Sequence, residues 1–205
     1  MTKGGFAAAG FVEALDGHRY HDRPMRQWFV SELQEALVTS VHDVQMVLNY
    51  LSSRSDLDAS RIGMFGQGSG GTIAILAASV DPRIKAINAL DPWGDWPRWV
   101  EKSRLIPEDE RPGYMIPSFL DKLTALDPVR ILPNLTIPVH IQDALYEKAT
   151  PRDAKDRIES ALAKSGTVAR YATSSDFQGA ASNGQLLDWL KDQLQPARSP
   201  NARRQ

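Results

Sequence analysis

The sequence predicts an α/β fold: a mostly parallel sheet with helices on both faces. Two patterns carry that expectation. Short apolar runs alternate with helical periodicity along the chain, the mark of βαβ units. A glycine-rich turn at 66–71 then joins an apolar run directly to an Ala-rich helical stretch. The composition agrees: 205 residues, 42% hydrophobic and 24% charged, sit near globular averages. A chain of this size buries roughly 70% of its unfolded surface, enough for one domain or one and a half.

Taken in order, residues 10–16 form a short apolar run ending in Asp16-Gly17, which reads as a strand and turn. A polar loop follows, from His18 to Pro24. From Gln27 to Ser53 the residues Phe29, Leu33, Leu37, Val41, Val44, Leu48 and Leu51 recur at steps of four and three, one face of a long amphipathic helix. Arg61 to Phe65 reads as a strand, Thr72 to Ser79 as a buried helix that Asp81-Pro82 breaks, and Ile84 to Leu90 as the next strand. Residues 91–128 carry six prolines with Trp93, Trp96 and Trp99, an excursion away from the sheet. Ile137 to Ile141 reads as a strand. Thr150-Pro151 opens a helix over Arg152 to Ser165, Thr167 to Ala172 is a strand, and Gly184 to Leu194 a helix. Residues 1–195 are thus expected to form one domain, and the Arg-containing tail 196–205 to be disordered.

Several function classes fall away. Lys plus Arg is 24 against 25 Asp plus Glu, a net charge of −1, so no broad basic field points to nucleic acid or an anionic membrane. No apolar run approaches the ~20 residues of a membrane span. The start has no secretory h-region. The chain has no cysteine, which excludes disulfides, thiolate metal sites and a Cys nucleophile. A cytoplasmic protein without cofactor is expected. His18, His21 and Asp22 are the one group that could gather an ion, and no metal is expected there.

The turn at 66–71 has two readings. As Gly66-x-Gly68-x-x-Gly71 it satisfies the bare dinucleotide pattern, with the acidic residue at Asp91. As a nucleophile elbow it lifts a reactive side chain above the sheet, at the start of a helix. The neighbourhood favours the second. Asp58 to Gly66, Gly70-Gly71-Thr72 and Asp81-Pro82-Arg83-Ile84-Lys85-Ala86 together resemble the elbow region of α/β-hydrolases of the esterase and acyl-peptidase kind. Gly10 to Arg19 resembles the strand and loop before the family's long helix. Asp127-Pro128, Leu132-Pro133 and Ile137 to Ile141 resemble the approach to its acid-bearing strand. The resemblance covers about residues 6 to 194 and implies the hydrolase-like fold.

The resemblance implies a degenerate triad. It places Gly68 at the nucleophile position, Tyr146 at the acid position and Phe177 at the base position, and no histidine follows His140. A Phe can neither take nor hold a proton, and triad catalysis needs an oriented base within hydrogen-bond reach of the nucleophile. Asp143 and Glu147 flank the acid position. A one-residue slip would make Ser69 the nucleophile, at the cost of placing Gln67 where the elbow needs a small residue. Otherwise Ser69 is an exposed residue capping the helix N-terminus. His42 reads as a surface residue and His140 as a satisfied core histidine. A ligand pocket would draw on Gln67, His18, Trp93, Trp96, Asp143 and Glu147. Alternatively the tryptophans simply pack the excursion onto the sheet, with Asp91 and Asp95 solvated or capping.

Three functional readings follow. The leading one is a hydrolase-like chain without triad hydrolysis, in a ligand-binding or partner role. The others are a serine hydrolase using Ser69 with a non-standard base, and a lyase or cyclase reusing the pocket. Residues 10–16 resemble the family's fourth strand, and residues 5–10 the end of the helix before it, so the family's first strands, including the third with its oxyanion loop, have no counterpart here. The expectation is a fragment, a rearranged sheet, or a second chain that completes it as a homo-oligomer or partner.

Overall fold

A computed structural model describes residues 5–15, 32–144, 149–165, 169–174, 178–179 and 187–195. The elements are α1 (Leu33–Ser53), β1 (Ile62–Gln67), α2 (Ser69–Val80), β2 (Ile84–Leu90), α3 (Trp96–Lys102), α4 (Arg111–Tyr114), α5 (Pro117–Thr124), α6 (Pro128–Ile131), a 3-10 turn at Leu132–Asn134, β3 (Val139–Ala144), α7 (Arg152–Leu162), β4 (Ala169–Ser174) and α8 (Asp188–Leu194). The four strands pair in the order β1-β2-β3-β4, every pair parallel. The α/β class and the parallel sheet expected from the sequence are present.

Strand order explains where the helices go. Each strand lies beside its predecessor, always on the same side. Right-handed crossovers then send all three connections to one face of the sheet. That face holds the main core: Ile73, Ile75 and Leu76 of α2 and Ile158 and Leu162 of α7 join Ile84, Ile87, Val139 and Ile141 of the strands. The helix α1 packs over α2 with Leu33, Leu37, Val44 and Leu48 buried. Its observed start is Leu33; residues 27–31 of the expected helix lie outside the described residues. The opposite face receives α8, whose Leu190 and Leu194 cover Ala86 with Phe6 and Phe65 beside them.

Two expectations need correction. The described residues 10–15 carry no strand; they run irregularly, with Phe11 39% and Val12 52% exposed while Leu15 is buried. Two hydrogen bonds anchor them: the Ala14 amide donates to Ser40 Oγ at 2.9 Å and Ser69 Oγ donates to Glu13. The apolar run serves one buried leucine here rather than a ladder. Second, α2 starts at Ser69, three residues before the expected Thr72, because the turn is tight enough that helix follows strand almost at once. The tail 196–205 lies outside the described residues.

The 91–128 excursion is tied down by one aspartate. Asp127 accepts the backbone N–H of Asp95 at 2.9 Å, of Trp96 at 3.3 Å and of Val129 at 3.0 Å. It therefore caps α6 and the start of α3 at once, satisfying donors that a helix N-terminus otherwise leaves orphaned. Burial, outweighing those three N–H groups, holds its carboxyl above the usual carboxylate range.

Asp127→Ala should lower unfolding free energy by about 1–3 kcal/mol, since two helix ends lose their cap, as read by chemical denaturation. A raised folded pKa means that the carboxyl contributes most below its unfolded pKa, and loses that contribution as pH rises through the folded value. The stability deficit of Asp127→Asn should therefore narrow between pH 4 and pH 7; a deficit that widens would contradict the assignment.

Candidate active site

The C-terminal ends of β1, β2 and β3 form one edge, where open α/β sheets bind ligands. At its centre stands the turn between β1 and α2. Gly68 occupies its tip with φ 55° and ψ −121°, a left-handed conformation that an L side chain adopts only under strain. Its N–H donates to Leu90 O at 2.9 Å, which carries the ladder one residue past the strand. Below the tip the backbones of strand and helix almost touch. A Cβ on Gly66 would lie 2.1 Å from Gly70 O and 2.6 Å from Gly71 N, whereas one on Gly70 would meet nothing within 4 Å. This is elbow geometry, with Gly66-Gln67-Gly68-Ser69-Gly70 as its register. Gln67 is the exposed last residue of β1, and Ser69 the first of α2.

Trp93 covers the tip. A Cβ on Gly68 would lie 3.2 Å from its Nε1. The indole is held from behind by Trp99, ring centroids 5.0 Å apart, and Trp96 meets Trp99 edge-on at 5.7 Å. Thr72 Oγ1 donates to Trp93 O at 2.8 Å, so the elbow helix itself positions the loop. Asp91 and Asp95 bracket that loop with φ 49° and 52°. Neither is solvated as the sequence suggested: Asp91 is 3% and Asp95 6% exposed. Trp96, 1% exposed with Nε1 donating to Leu126 O at 3.0 Å, and Trp99, 0% exposed, belong to the core.

Beside the loop lies a buried ion network. Lys155 of α7 reaches Asp91 Oδ1 and Asp143 Oδ1, each at 2.6 Å, and donates to Ala144 O at 2.8 Å. Arg152 reaches Asp143 Oδ2 from the surface at 3.2 Å. Lys155, Asp91 and Asp143 are all buried. Two carboxylates in a low-dielectric edge require cations, and one ammonium with one guanidinium balances them. Thr150 Oγ1 adds a hydrogen bond to Pro92 O at 3.2 Å. Ser103 Oγ donates to Ala149 O at 2.6 Å.

The expected site residues thus divide. Gln67, Gly68, Ser69, Trp93 and Asp143 gather at this edge. Tyr146, Glu147, Phe177 and His18 lie outside the described residues, as do His21 and Asp22. Ser69 is 7% exposed rather than open to solvent, and its hydroxyl donates to Glu13 rather than capping α2. His140 is buried in β3 on the α8 side, 5.1 Å between ring centroids from Trp189 and 3.5 Å from Gln142 Nε2; His42 is on the exposed side of α1. Sequence reading missed Glu13 and Lys155. Glu13 acts 56 positions away and left no local signal. Lys155 did leave one: it sits in the stripe Ala154, Ile158, Ala161 and Leu162, where a lysine demands a buried partner. Among the described residues, no three His, Asp or Glu gather as metal ligands. A cleft of about 240 Å³ lies at the other end of α2, lined in part by Ser79, Arg130 and Asn134.

Known proteins resemble this arrangement. The acetyl xylan esterase family model matches residues 34–115. The acylaminoacyl peptidase of Pyrococcus horikoshii superposes with a TM-score of 0.61 at 18% identity, over 80% of this chain and 27% of its own. The chain has the α/β-hydrolase fold. Acetyl xylan esterase 1 of Thermoanaerobacterium sp. superposes with a TM-score of 0.60 at 14% identity, over 76% of this α/β-hydrolase-fold chain and 53% of its own. A curated Bacillus subtilis protein, "Putative hydrolase YtaP", is 28% identical over 127 residues, 60% of this chain and 40% of that protein. The hydrolase-fold chain therefore spans less than two thirds of the length of each of these three proteins. No helix among its described residues is long and apolar enough to cross a membrane.

Two pairs of variants test the site's construction. Gly66→Ala should cost about 2–4 kcal/mol, because its Cβ meets backbone, while Gly70→Ala should stay within about 0.5 kcal/mol of wild type; equal costs would refute the elbow register. Lys155→Met strands two buried carboxylates and should cost about 3–5 kcal/mol at neutral pH. Arg152→Met, at the exposed end of the network, should cost under about 1 kcal/mol.

Proposed function

We propose that this hydrolase-fold chain belongs with the esterases and peptidases in architecture but does not hydrolyse through a Ser–His–acid triad. One observation carries the reading: the tip of the elbow is Gly68, which has no side chain, and the Trp93 indole lies against the place a nucleophile would occupy. Tyr146 and Phe177, aligned with the acid and base of the resembled family, add no proton acceptor of the kind that chemistry needs. Neither described histidine lies near the tip, since His140 is packed on Trp189 and His42 faces outward. What the edge keeps is Gln67 and Arg152 at the surface over the buried Asp143–Lys155 pair, with Trp93 as an apolar cover beside them, which suits a small ligand with an acyl or other polar head.

Turnover of p-nitrophenyl acetate, measured for wild type and for His→Asn at His18, His21, His42 and His140, tests this. Every variant that keeps the wild-type circular dichroism spectrum should match wild type within about twofold. A loss of about 10²-fold or more in any one of them marks a working imidazole base and overturns the proposal.

A further inference from the structure

We propose that Ser69 and Glu13 form a nucleophile–base pair, an acyl-transfer site one residue beyond the empty elbow tip. Ser69 Oγ donates its proton to Glu13 Oε1, the contact that a general base must make with the group it activates. The serine is held at the first position of the 12-residue helix α2, and Glu13 is drawn in from a separate, irregular segment that Leu15 and the Ala14–Ser40 hydrogen bond anchor. Ser69 is only 7% exposed, but its neighbours Gly68 and Gly70 are partly open and a Cβ on Gly70 would meet nothing within 4 Å. A small acyl group would approach the oxygen over these glycines. The N-cap Gly68 makes no side-chain hydrogen bond to the first turn of α2, whose N–H groups are the donors a developing oxyanion would use.

The chemistry balances with an ester and water alone. Ser69 Oγ bonds to the ester carbonyl carbon as its proton passes to the Glu13 carboxylate. The tetrahedral intermediate breaks its bond to the alkoxy oxygen, which leaves as the alcohol with the proton from Glu13. Water then adds to the acyl-serine, giving one proton to Glu13, and the acid departs as Ser69 recovers its hydrogen. A carboxylate is a weaker base than imidazole, so the pair suits short, activated esters and slow turnover.

The test is reaction of the full chain with a fluorophosphonate, the adduct located by peptide mass spectrometry. Expected is one adduct, on Ser69, absent in Ser69→Ala and formed about 10²-fold more slowly in Glu13→Gln. No adduct on folded wild type, an adduct elsewhere, or an unchanged rate in folded Glu13→Gln would overturn the pair. Should Glu13→Gln lose its circular dichroism melt, Glu13→Asp replaces it: the carboxylate is drawn back by one methylene, labelling should slow at least tenfold, and an unchanged rate would again refute the role. The inference stands apart from the loss of the triad, because the histidine variants test that loss and these variants do not touch a histidine.

Discussion

The close approach of Gly66 to Gly70 and Gly71 is the contact on which the rest of the molecule depends. The missing Cβ of Gly66 lets α2 leave β1 after a single residue of positive φ. The helix then lies flat on the sheet, and residues Thr72 to Ala77 are buried without exception. Each of Ile73, Ile75 and Leu76 contributes roughly 1.5–3 kcal/mol of burial to that packing. Thr72, on the same helix, reaches over to hold the loop that bears Trp93. One steric concession thus orients the main core, the ligand edge and the tryptophan cluster together.

The same edge separates conformation from chemistry. Its backbone makes a strained turn at Gly68, yet the strained residue is glycine, for which that conformation costs little. The two αL aspartates nearby are a different matter. Asp91 and Asp95 hold φ 49° and 52° because their surroundings over-determine them: Lys155 and a ladder hydrogen bond to Gln142 O at 2.7 Å for one, Asp127 and Arg98 for the other. At this edge the side chains under backbone strain belong to the loop that covers the tip, not to the tip itself.

Much of this was legible in the sequence, and the exceptions have physical causes. Periodicity located α1 and apolar runs located α2, β2, β3 and α7, because each buries a continuous face, while the placing of Gly68 in the turn rested on the resemblance to the hydrolase elbow. The run at 10–16 misled because an apolar run reports burial, not a hydrogen-bonded neighbour, and pairing into a sheet is a tertiary matter. Asp91 and Asp95 misled for the opposite reason. Carboxylates in a Pro- and Trp-rich loop ordinarily face water, and only the arrival of Lys155 and of the Asp127 caps from elsewhere makes burial affordable. The Ser69–Glu13 contact lies beyond any local window.

Consecutive strand order has a kinetic consequence. The face carrying α2, α3 and α7 is built from neighbours in sequence, so its contacts close short loops. The other face waits for the last helix to return across the whole sheet: Arg61 Nη1 bonds Leu194 O at 3.4 Å across 133 positions, and Leu190 and Leu194 pack on Ala86. Among the described residues one seven-residue helix and a few aromatic rings hold that face, which makes it the natural first point of opening. Amide exchange there reports a sub-global unfolding that leaves the elbow face intact.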